Sequence, residues 1–349
     1  MNKLKEQIPN NGVKINLHTL NISVIITAYD RKKFIGKAIE SVIKQEIDTS
    51  RYELIVVSNY NLEFDQFLTK IPIFNIVMEG NVGEFLYAGI RKAKYDLVAF
   101  LDDDDEFELR KLDRALSFFE NDDKLVYYHN SLNYIDDNDN RINYSRMVES
   151  RIQRHRSKLI IFNSSKGIEK LELALTQSVD FNISCIVIRR NNLEPYLEIL
   201  KSIASNQDGF FFWVSLISGG NIMVDPERLT KYRVHAMNVT KSITFTGKAI
   251  EIKKQIKTYT LLLEHLYQKY NSSENAKNII SWIGTMKVEY ELILLIFLQV
   301  KRKMVIYNLK VLYSLKSSIK NTLKYRLLFL SLIYLISPKI ATLIYRKIS

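Results

Sequence analysis

Four consecutive aspartates, Asp102 to Asp105, directly follow the apolar run of residues 98–101. Adjacent carboxylates repel one another, so such a cluster needs a counter-cation or bound protons. Mg²⁺ and Mn²⁺ prefer hard oxygen ligands, and Mg²⁺ commonly joins one or two carboxylates to the phosphates of a substrate. Because successive residues of a strand face opposite sides, we expect Asp102 and Asp104 to share one face and Asp103 to leave it. The alternative is a solvated acidic turn.

Strands and helices alternate along the first two thirds of the chain. The segments ISVIITAYD (22–30), YELIVVSNY (52–60), IPIFNIVME (71–79) and DLVAFLDDDDEF (96–107) are apolar and rich in β-formers, with helical spacing after the first and from about Gly83 to Lys94. This order predicts an α/β fold with a mainly parallel sheet flanked by helices. Ligands of such sheets bind at the carboxyl ends of the strands, where the aspartates stand.

The α/β pattern continues beyond the aspartates and then stops. We expect a helix over residues 108–122, strands over 124–136 and 181–191, and a helix from near Asp208 to Gly219. After about Lys248 only helical spacing remains, so we place a boundary near Thr246. The prediction is an α/β domain over residues 1–246 and a helical, basic region over residues 247–349.

Composition limits the setting. A single cysteine, Cys185, excludes an internal disulfide and a cysteine zinc site, which favours a reducing environment. The first twenty residues lack the apolar core of a secretory signal. We therefore expect a cytoplasmic protein.

The positive charge is concentrated in the last 49 residues. The chain has 50 Lys and Arg against 38 Asp and Glu, yet 11 of the basic residues and none of the acidic ones follow position 300. The lysines alternate with bulky aliphatics, as in a basic amphipathic helix that binds anionic lipid, which disfavours nucleic-acid binding. The apolar stretch 327–336 is too short to cross a bilayer. We expect peripheral attachment to the inner face of the cell membrane; the alternatives are a soluble helical bundle or a homo-oligomer interface.

Five segments carry a resemblance to a known family. They are, in order, ISVIITAYDRKKFIGKAIESVIKQ, YELIVVSN, NVGEFLYAGIRKAKYDLVAFLDDDDEF, NQDGFFFWVSL and LTKYRVHAMNVT. Together they resemble the successive blocks of the family 2 nucleotide-sugar glycosyltransferases, which have the GT-A fold. The resemblance covers roughly residues 21–240 and does not reach the helical tail. It implies a hexosyltransferase-like enzyme that uses Mg²⁺ or Mn²⁺ and moves a sugar from a nucleotide-diphosphate donor to a hydroxyl acceptor with inversion.

On the donor side, the resemblance implies roles for two groups of residues. Thr27, Tyr29 and Asp30 match the family's opening motif and would line the nucleotide pocket. Asp102, Asp103 and Asp104 match its Asp-x-Asp motif. The first would face the ribose, and the last would hold the metal on the diphosphate.

Three further positions match the later blocks. Asp208 matches the catalytic base, although it could simply cap a helix. His235 matches the histidine of the closing pattern, which would approach the metal or the diphosphate, and Arg233 precedes it as a substrate contact. Taken without the resemblance, His235 is an ordinary surface residue of a basic stretch.

One block departs from the family pattern. The second strand of the family usually ends in VDDGS, whose aspartate recognises the nucleotide base, whereas this chain has VVSNYN. Ser58 or Asn59 could still hydrogen-bond a base, but the nucleotide is left open. A membrane-docked nucleotide-sugar-binding protein without catalysis is therefore one alternative. A nucleotidyltransferase is another, although TAYDRKKF lacks the glycines of a phosphate loop. Membrane attachment would suit a lipid-linked glycan as the acceptor.

Overall fold

A nine-stranded sheet organises the part of the chain that the computed structural model describes. That part comprises residues 19–64, 67, 69–142, 158–164, 171, 174–175, 178–235, 245–269, 274–298, 305–306, 308–310, 332 and 334–335. In the order in which they pair, its strands are β3 (Ile73–Val77), β2 (Tyr52–Ser58), β1 (Ile22–Ala28), β4 (Leu97–Asp102), β8 (Ile186–Arg189), β6 (Leu125–Ile135), β9 (Asn221–Arg233) and β5 (Glu106–Phe107). Strand β7 (Ile160–Asn163) pairs with the first residues of β9.

The first half of the sheet is parallel. Its strands are β1 (Ile22–Ala28), β2 (Tyr52–Ser58), β3 (Ile73–Val77) and β4 (Leu97–Asp102), and its crossover helices are α1 (Ile35–Ile43) and α2 (Val82–Lys92). All seven residues of β1 are buried, because both faces of the sheet are covered. Ile25 packs into the hydrophobic cluster on one face, and Val24 and Ile26 pack into the cluster on the other. The carboxyl ends of the four strands therefore meet at one edge.

The second half of the sheet is mixed. Its elements are β5 (Glu106–Phe107), α3 (Lys111–Asn121), β6 (Leu125–Ile135), β7 (Ile160–Asn163), β8 (Ile186–Arg189), α4 (Leu197–Leu200), α5 (Gln207–Ser218) and β9 (Asn221–Arg233). Strand β8 runs antiparallel to both β4 and β6, whereas β6 and β9 are parallel. The predicted α/β fold flanked by helices is confirmed, with a sheet that is parallel only over its first four strands and mixed beyond them.

Two long helices follow the sheet. Helix α6 (Phe245–Lys269) and helix α7 (Glu274–Phe297) bury Tyr259, Leu262 and Ile283 in the same hydrophobic cluster as α2, α5 and one face of the sheet. The predicted helical region is thus present, while its separation from the α/β domain at residue 246 stays a prediction. Among the described residues, no helix combines the length and the apolarity needed to cross a membrane. The basic tail expected to bind lipid lies almost entirely outside the described residues.

Candidate active site

Strand β4 delivers the aspartates to the carboxyl edge of the sheet, and the chain turns there at once. The strand ends at Asp102, whose carbonyl accepts a hydrogen bond from the Asp105 N–H at 3.2 Å. Strand geometry therefore no longer applies to Asp103 and Asp104: oxygens of Asp102 and Asp104 lie close together as expected, but a turn and not strand alternation brings them there. Instead, Asp103 and Asp104 both turn toward Arg31, on the loop after β1.

Asp105 is a buried anchor of this acidic turn. Its Oδ1 accepts from the Arg233 N–H at 3.0 Å, and its Oδ2 accepts from Ser184 Oγ at 2.7 Å and from Asn182 Nδ2 at 3.2 Å. Ser184 Oγ also accepts from the Asp102 N–H at 3.0 Å, so one hydroxyl joins both ends of the turn. Burial raises the pKa of the Asp105 carboxyl well above its usual range.

Asp104 and Asp103 share one guanidinium. Arg31 Nη1 donates to Asp104 Oδ2 at 2.5 Å, and Arg31 Nη2 pairs with Asp103 Oδ1. His235 Nε2 lies 3.0 Å from the same Asp104 Oδ2, with the imidazole packed against the Phe34 ring. The structure thus brings His235 to the carboxylate that the sequence assigned to the metal.

The donor set of the acidic turn suits a divalent cation. Carboxylate oxygens of Asp102, Asp104 and Asp105 lie within 4.8 Å of one another. Asp105 is buried and held by three donors within the protein, whereas the resemblance assigns Asp104 to the metal and Asp102 lies beside it, so Asp102 and Asp104 are the residues that would hold the ion. Burial, with the neighbouring Asp104 charge, raises the pKa of Asp102 to about 8, and burial raises that of Asp103 to about 7. A bound divalent cation would favour the ionised carboxylates.

Asp208 stands at the start of α5, at the same edge. Its Oδ2 accepts from the Asn182 N–H at 2.9 Å and its Oδ1 from the Gly209 N–H at 2.9 Å. Burial raises the pKa of the Asp208 carboxyl, and its charge contributes to the raised pKa of Asp102. Since the Asn182 backbone holds Asp208 while its side chain holds Asp105, one residue links the proposed base to the acidic turn.

The predicted nucleotide residues line the ends of β1 and β2. Thr27 pairs in register with Asp102, and Tyr29 is 51% exposed beside Phe85. Asp30 and Asn59 bind each other reciprocally: Asn59 Oδ1 accepts from the Asp30 N–H at 3.0 Å, and Asn59 Nδ2 donates to Asp30 Oδ1 at 2.7 Å.

Ser58 and Arg233, two further predicted substrate contacts, also have partners within the protein. The buried Ser58 hydroxyl donates to the Tyr60 carbonyl at 2.7 Å. The Arg233 side chain is fully buried behind the acidic turn, where it donates to the Asp104 carbonyl at 2.9 Å and to Asp139 Oδ1 at 2.5 Å. These contacts support a positioning role for Arg233, and its contact with substrate stays a prediction.

Sequence reasoning missed four residues of this site: Arg31, Lys111, Asn182 and Ser184. Arg31 carried a usable signal, since it follows Asp30 at the end of a parallel strand adjacent to β4. The other three lack such a signal, because their partners lie on segments between 19 and 119 residues away.

Comparisons with known proteins identify the family of the chain. The family model described as glycosyl transferase family 2 matches residues 23–197, which include the acidic turn but neither Asp208 nor His235. A glycosyltransferase of Rickettsia bellii is 32% identical over 137 residues, covering 37% of this chain and 19% of the relative. A second, from a Nostoc species, is 34% identical over 133 residues, which cover 35% of this chain and 40% of the relative. The chain thus matches less than half the length of either relative.

Two solved structures share the fold. A crystal structure of S. aureus TarS with UDP superposes with a TM-score of 0.57 at 14% identity, covering 82% of this chain and 78% of that one. A complex of the same protein with UDP-GlcNAc gives 0.50 at 12% identity, covering 78% and 81%. These likenesses support the GT-A fold. Because the family model spans half of the sequence, from β1 through the acidic turn, the chain belongs to glycosyl transferase family 2.

Proposed function

We propose that the chain moves a sugar from a nucleotide-diphosphate donor to a hydroxyl group of an acceptor, with inversion at the anomeric carbon. One observation carries the proposal: Asp208 and the acidic turn occupy one site, joined by Asn182. A carboxylate that can accept a proton therefore lies beside the carboxylates that would hold a diphosphate through a cation. Membership of the family supports the same chemistry.

The donor would lie between the end of β1 and the acidic turn. Asp102 and Asp104 would hold Mg²⁺ or Mn²⁺, which when bound stabilises the negative charge that develops on the diphosphate leaving group. Thr27, Tyr29 and Asn59 surround the adjoining edge and would form the nucleotide pocket. The base contact remains open, because Asn59 supplies an amide where a carboxylate is usual.

Asp208 would act as the general base. Two backbone N–H groups hold its carboxylate in a fixed orientation, and burial raises its pKa, which makes it a stronger proton acceptor. The acceptor hydroxyl loses its proton to Asp208 as its oxygen forms the new bond to the anomeric carbon and the bond to the diphosphate breaks. A single displacement of this kind inverts the anomeric centre.

Two substitutions separate the proposed roles. Asp104→Asn should abolish the thermal stabilisation that Mn²⁺ with a nucleotide diphosphate confers, and turnover with it. Asp208→Asn should keep that stabilisation and lower turnover by at least about a hundredfold, the usual contribution of a general base. The exposed Asp113 on α3 supplies the control, Asp113→Asn, which should match the wild type. UDP and UDP-GlcNAc are the first ligands to test, because TarS structures contain them.

The results decide between functions. Normal turnover of Asp208→Asn would refute the base assignment. Binding of nucleotide sugars by the wild type without any transfer would favour the binding-protein alternative.

We also propose that the acceptor is a lipid-linked glycan met at the inner membrane surface, a hypothesis that rests on the basic tail. Because α6 and α7 share the hydrophobic cluster of the sheet, removing the whole helical region would expose that core. A test that keeps the helical region therefore replaces Lys316, Lys320 and Lys324 by Gln in the full chain. Flotation with anionic vesicles should weaken markedly relative to the wild type, while neutral vesicles should retain neither protein. Equal flotation of the two proteins with anionic vesicles would refute attachment through the basic tail, and with it the support for a lipid-linked acceptor.

A further inference from the structure

The loop after β1 carries a guanidinium into the acidic turn. Arg31 donates to Asp104 Oδ2 at 2.5 Å and pairs with Asp103 Oδ1, while 28% of its side chain is exposed. The charges of Asp104 and Asp103 raise its pKa against the lowering effect of burial, so it stays charged. A two-pronged contact with carboxylates is the geometry that guanidinium groups also use for phosphate oxygens.

Hydrogen bonds from the loop after β2 hold the backbone of this loop. Asp30 adopts a positive φ of 54°, and Asn59 binds it twice, accepting from its backbone N–H and donating to its side-chain carboxylate. The Tyr60 hydroxyl donates to the Arg31 carbonyl. Both anchors come from the loop after β2, so the Arg31 Cα is held at the mouth of the site. Rotation of the side chain alone can therefore change the partners of the guanidinium.

A divalent cation and Arg31 would compete for one oxygen. Asp104 Oδ2 already accepts from Arg31 and lies 3.0 Å from His235 Nε2. An ion bound at that oxygen would sit beside a guanidinium of like charge, and the two repel at such short range. The anionic diphosphate of a donor, held by the same ion, would offer the displaced guanidinium new acceptors.

We propose that Arg31 is a donor-binding residue that exchanges partners: it pairs with Asp103 and Asp104 before the donor binds, and with the donor diphosphate once a divalent cation occupies Asp102 and Asp104. The inference rests on the proposed function. It makes cation and diphosphate binding mutually dependent, because the energy spent in freeing Arg31 from Asp104 is recovered only when the diphosphate is present. By linkage, each ligand then tightens the other by the same factor.

Removing Arg31 should therefore have opposite effects on the two ligands. Mn²⁺ titrated alone should bind to Arg31→Ala about tenfold tighter than to the wild type, because one charge-assisted contact no longer competes with the ion. The electron paramagnetic resonance signal of free Mn²⁺ measures the binding. Pyrophosphate titrated in saturating Mn²⁺ should bind about tenfold weaker or worse. Arg31→Lys keeps the charge but not the two-pronged geometry, so it should fall between the two proteins in both titrations.

Lys33→Ala is the matched control, because it also removes a positive charge from this loop. The Lys33 ammonium pairs with the exposed Asp137 and not with the acidic turn. Lys33→Ala should bind both ligands as the wild type does. Thermal unfolding in EDTA checks that each variant is folded, and Arg31→Lys supplies the test should Arg31→Ala unfold. Mn²⁺ affinity that is unchanged or weaker in Arg31→Ala overturns the inference, as does unchanged pyrophosphate affinity. These titrations measure binding and not turnover. They can therefore contradict the role of Arg31 while Asp208→Asn still loses transfer, and they can support it while Asp208→Asn keeps transfer.

Discussion

Lys111, the first residue of α3, has a fully buried side chain directly behind the acidic turn. Its Nζ donates to Asn130 Oδ1 at 2.8 Å, to Thr230 Oγ1 at 3.0 Å and to the Ser184 carbonyl. Burial lowers the pKa of Lys111 from 10.5 to about 7, although Cys185 and Asp105 act in the opposite direction. The folded protein therefore releases a proton that the unfolded chain still binds.

The sign and size of the effect follow from that difference. Between about pH 7 and pH 10.5 the unfolded chain binds more protons at this lysine than the folded protein does, so the free energy of unfolding rises with pH across that window. The two pKa values correspond to a gain of up to about 5 kcal/mol, or about 1.4 kcal/mol per pH unit. Lys111→Met abolishes this gain because it cannot titrate. It also removes the hydrogen bonds that Nζ donates to Asn130 and Thr230, at a cost of about 1–3 kcal/mol.

Urea unfolding at about pH 6.5, 8 and 9.5 measures the prediction, because the linear extrapolation gives a free energy at each pH. Lys111→Met should be closest to the wild type, or more stable than it, at the lowest pH and should fall behind as pH rises. Lys92→Met, at an exposed position of α2, should give a curve parallel to that of the wild type. If the Lys111→Met curve is also parallel to the wild type, the lysine is not buried in a charge-disfavouring site and the reasoning is wrong.

Two further predictions concern the acidic turn. The pKa values of Asp102 and Asp103 are raised to about 8 and about 7, so the folded protein keeps protons that the unfolded chain releases near pH 4. The stability that these bound protons contribute is therefore lost as pH rises toward 8. Because a cation needs the ionised carboxylates, Mn²⁺ should raise the melting temperature more at about pH 8.5 than at about pH 6, and equal shifts would contradict this. Ser184→Ala removes the acceptor of the Asp102 N–H and a donor to Asp105, and should lower the unfolding free energy by about 2–4 kcal/mol. Ser117→Ala, at an exposed position of α3, should cost far less, and a similar loss in both variants would remove the special role of Ser184.

The positions of the central strands follow from local pattern. The runs predicted over residues 22–30 and 124–136 appear as Ile22–Ala28 and Leu125–Ile135, because continuous apolar, β-branched segments bounded by polar residues fit a sheet covered on both faces. The segment expected as a strand over residues 181–191 is extended only at Ile186–Arg189. Its start contains Asn182 at a positive φ of 69°, followed by a short 3-10 turn. That backbone is imposed by contacts with Asp208 and Asp105, which are distant in sequence.

From local pattern alone, the candidate site was predictable only where a strand end identified a residue, and Asp208, Arg233 and His235 were found through the resemblance to the family. The rule that ligands bind at the carboxyl ends of parallel strands located Asp102 and Asp104. It could not reveal that the strand ends at Asp102, because four identical residues give no signal for where a strand stops and a turn begins. Nor could it predict the buried partners Lys111 and Arg233, because cations are rarely buried and their pairing depends on tertiary contacts.

The different contacts of the four aspartates explain why the cluster has more carboxylates than a metal site requires. Asp105 accepts hydrogen bonds from three donors within the protein, and Asp103 is not among the aspartates whose oxygens lie within 4.8 Å of one another, so Asp102 and Asp104 are the residues for a cation. The contacts of Asp105 hold the turn and keep Asp102 and Asp104 in place before any ligand arrives, which lowers the cost of organising the site. On this argument Asp105→Asn acts through folding and Asp103→Asn acts through Arg31. Their effects on Mn²⁺ binding should therefore differ even though the two residues are one position apart in sequence.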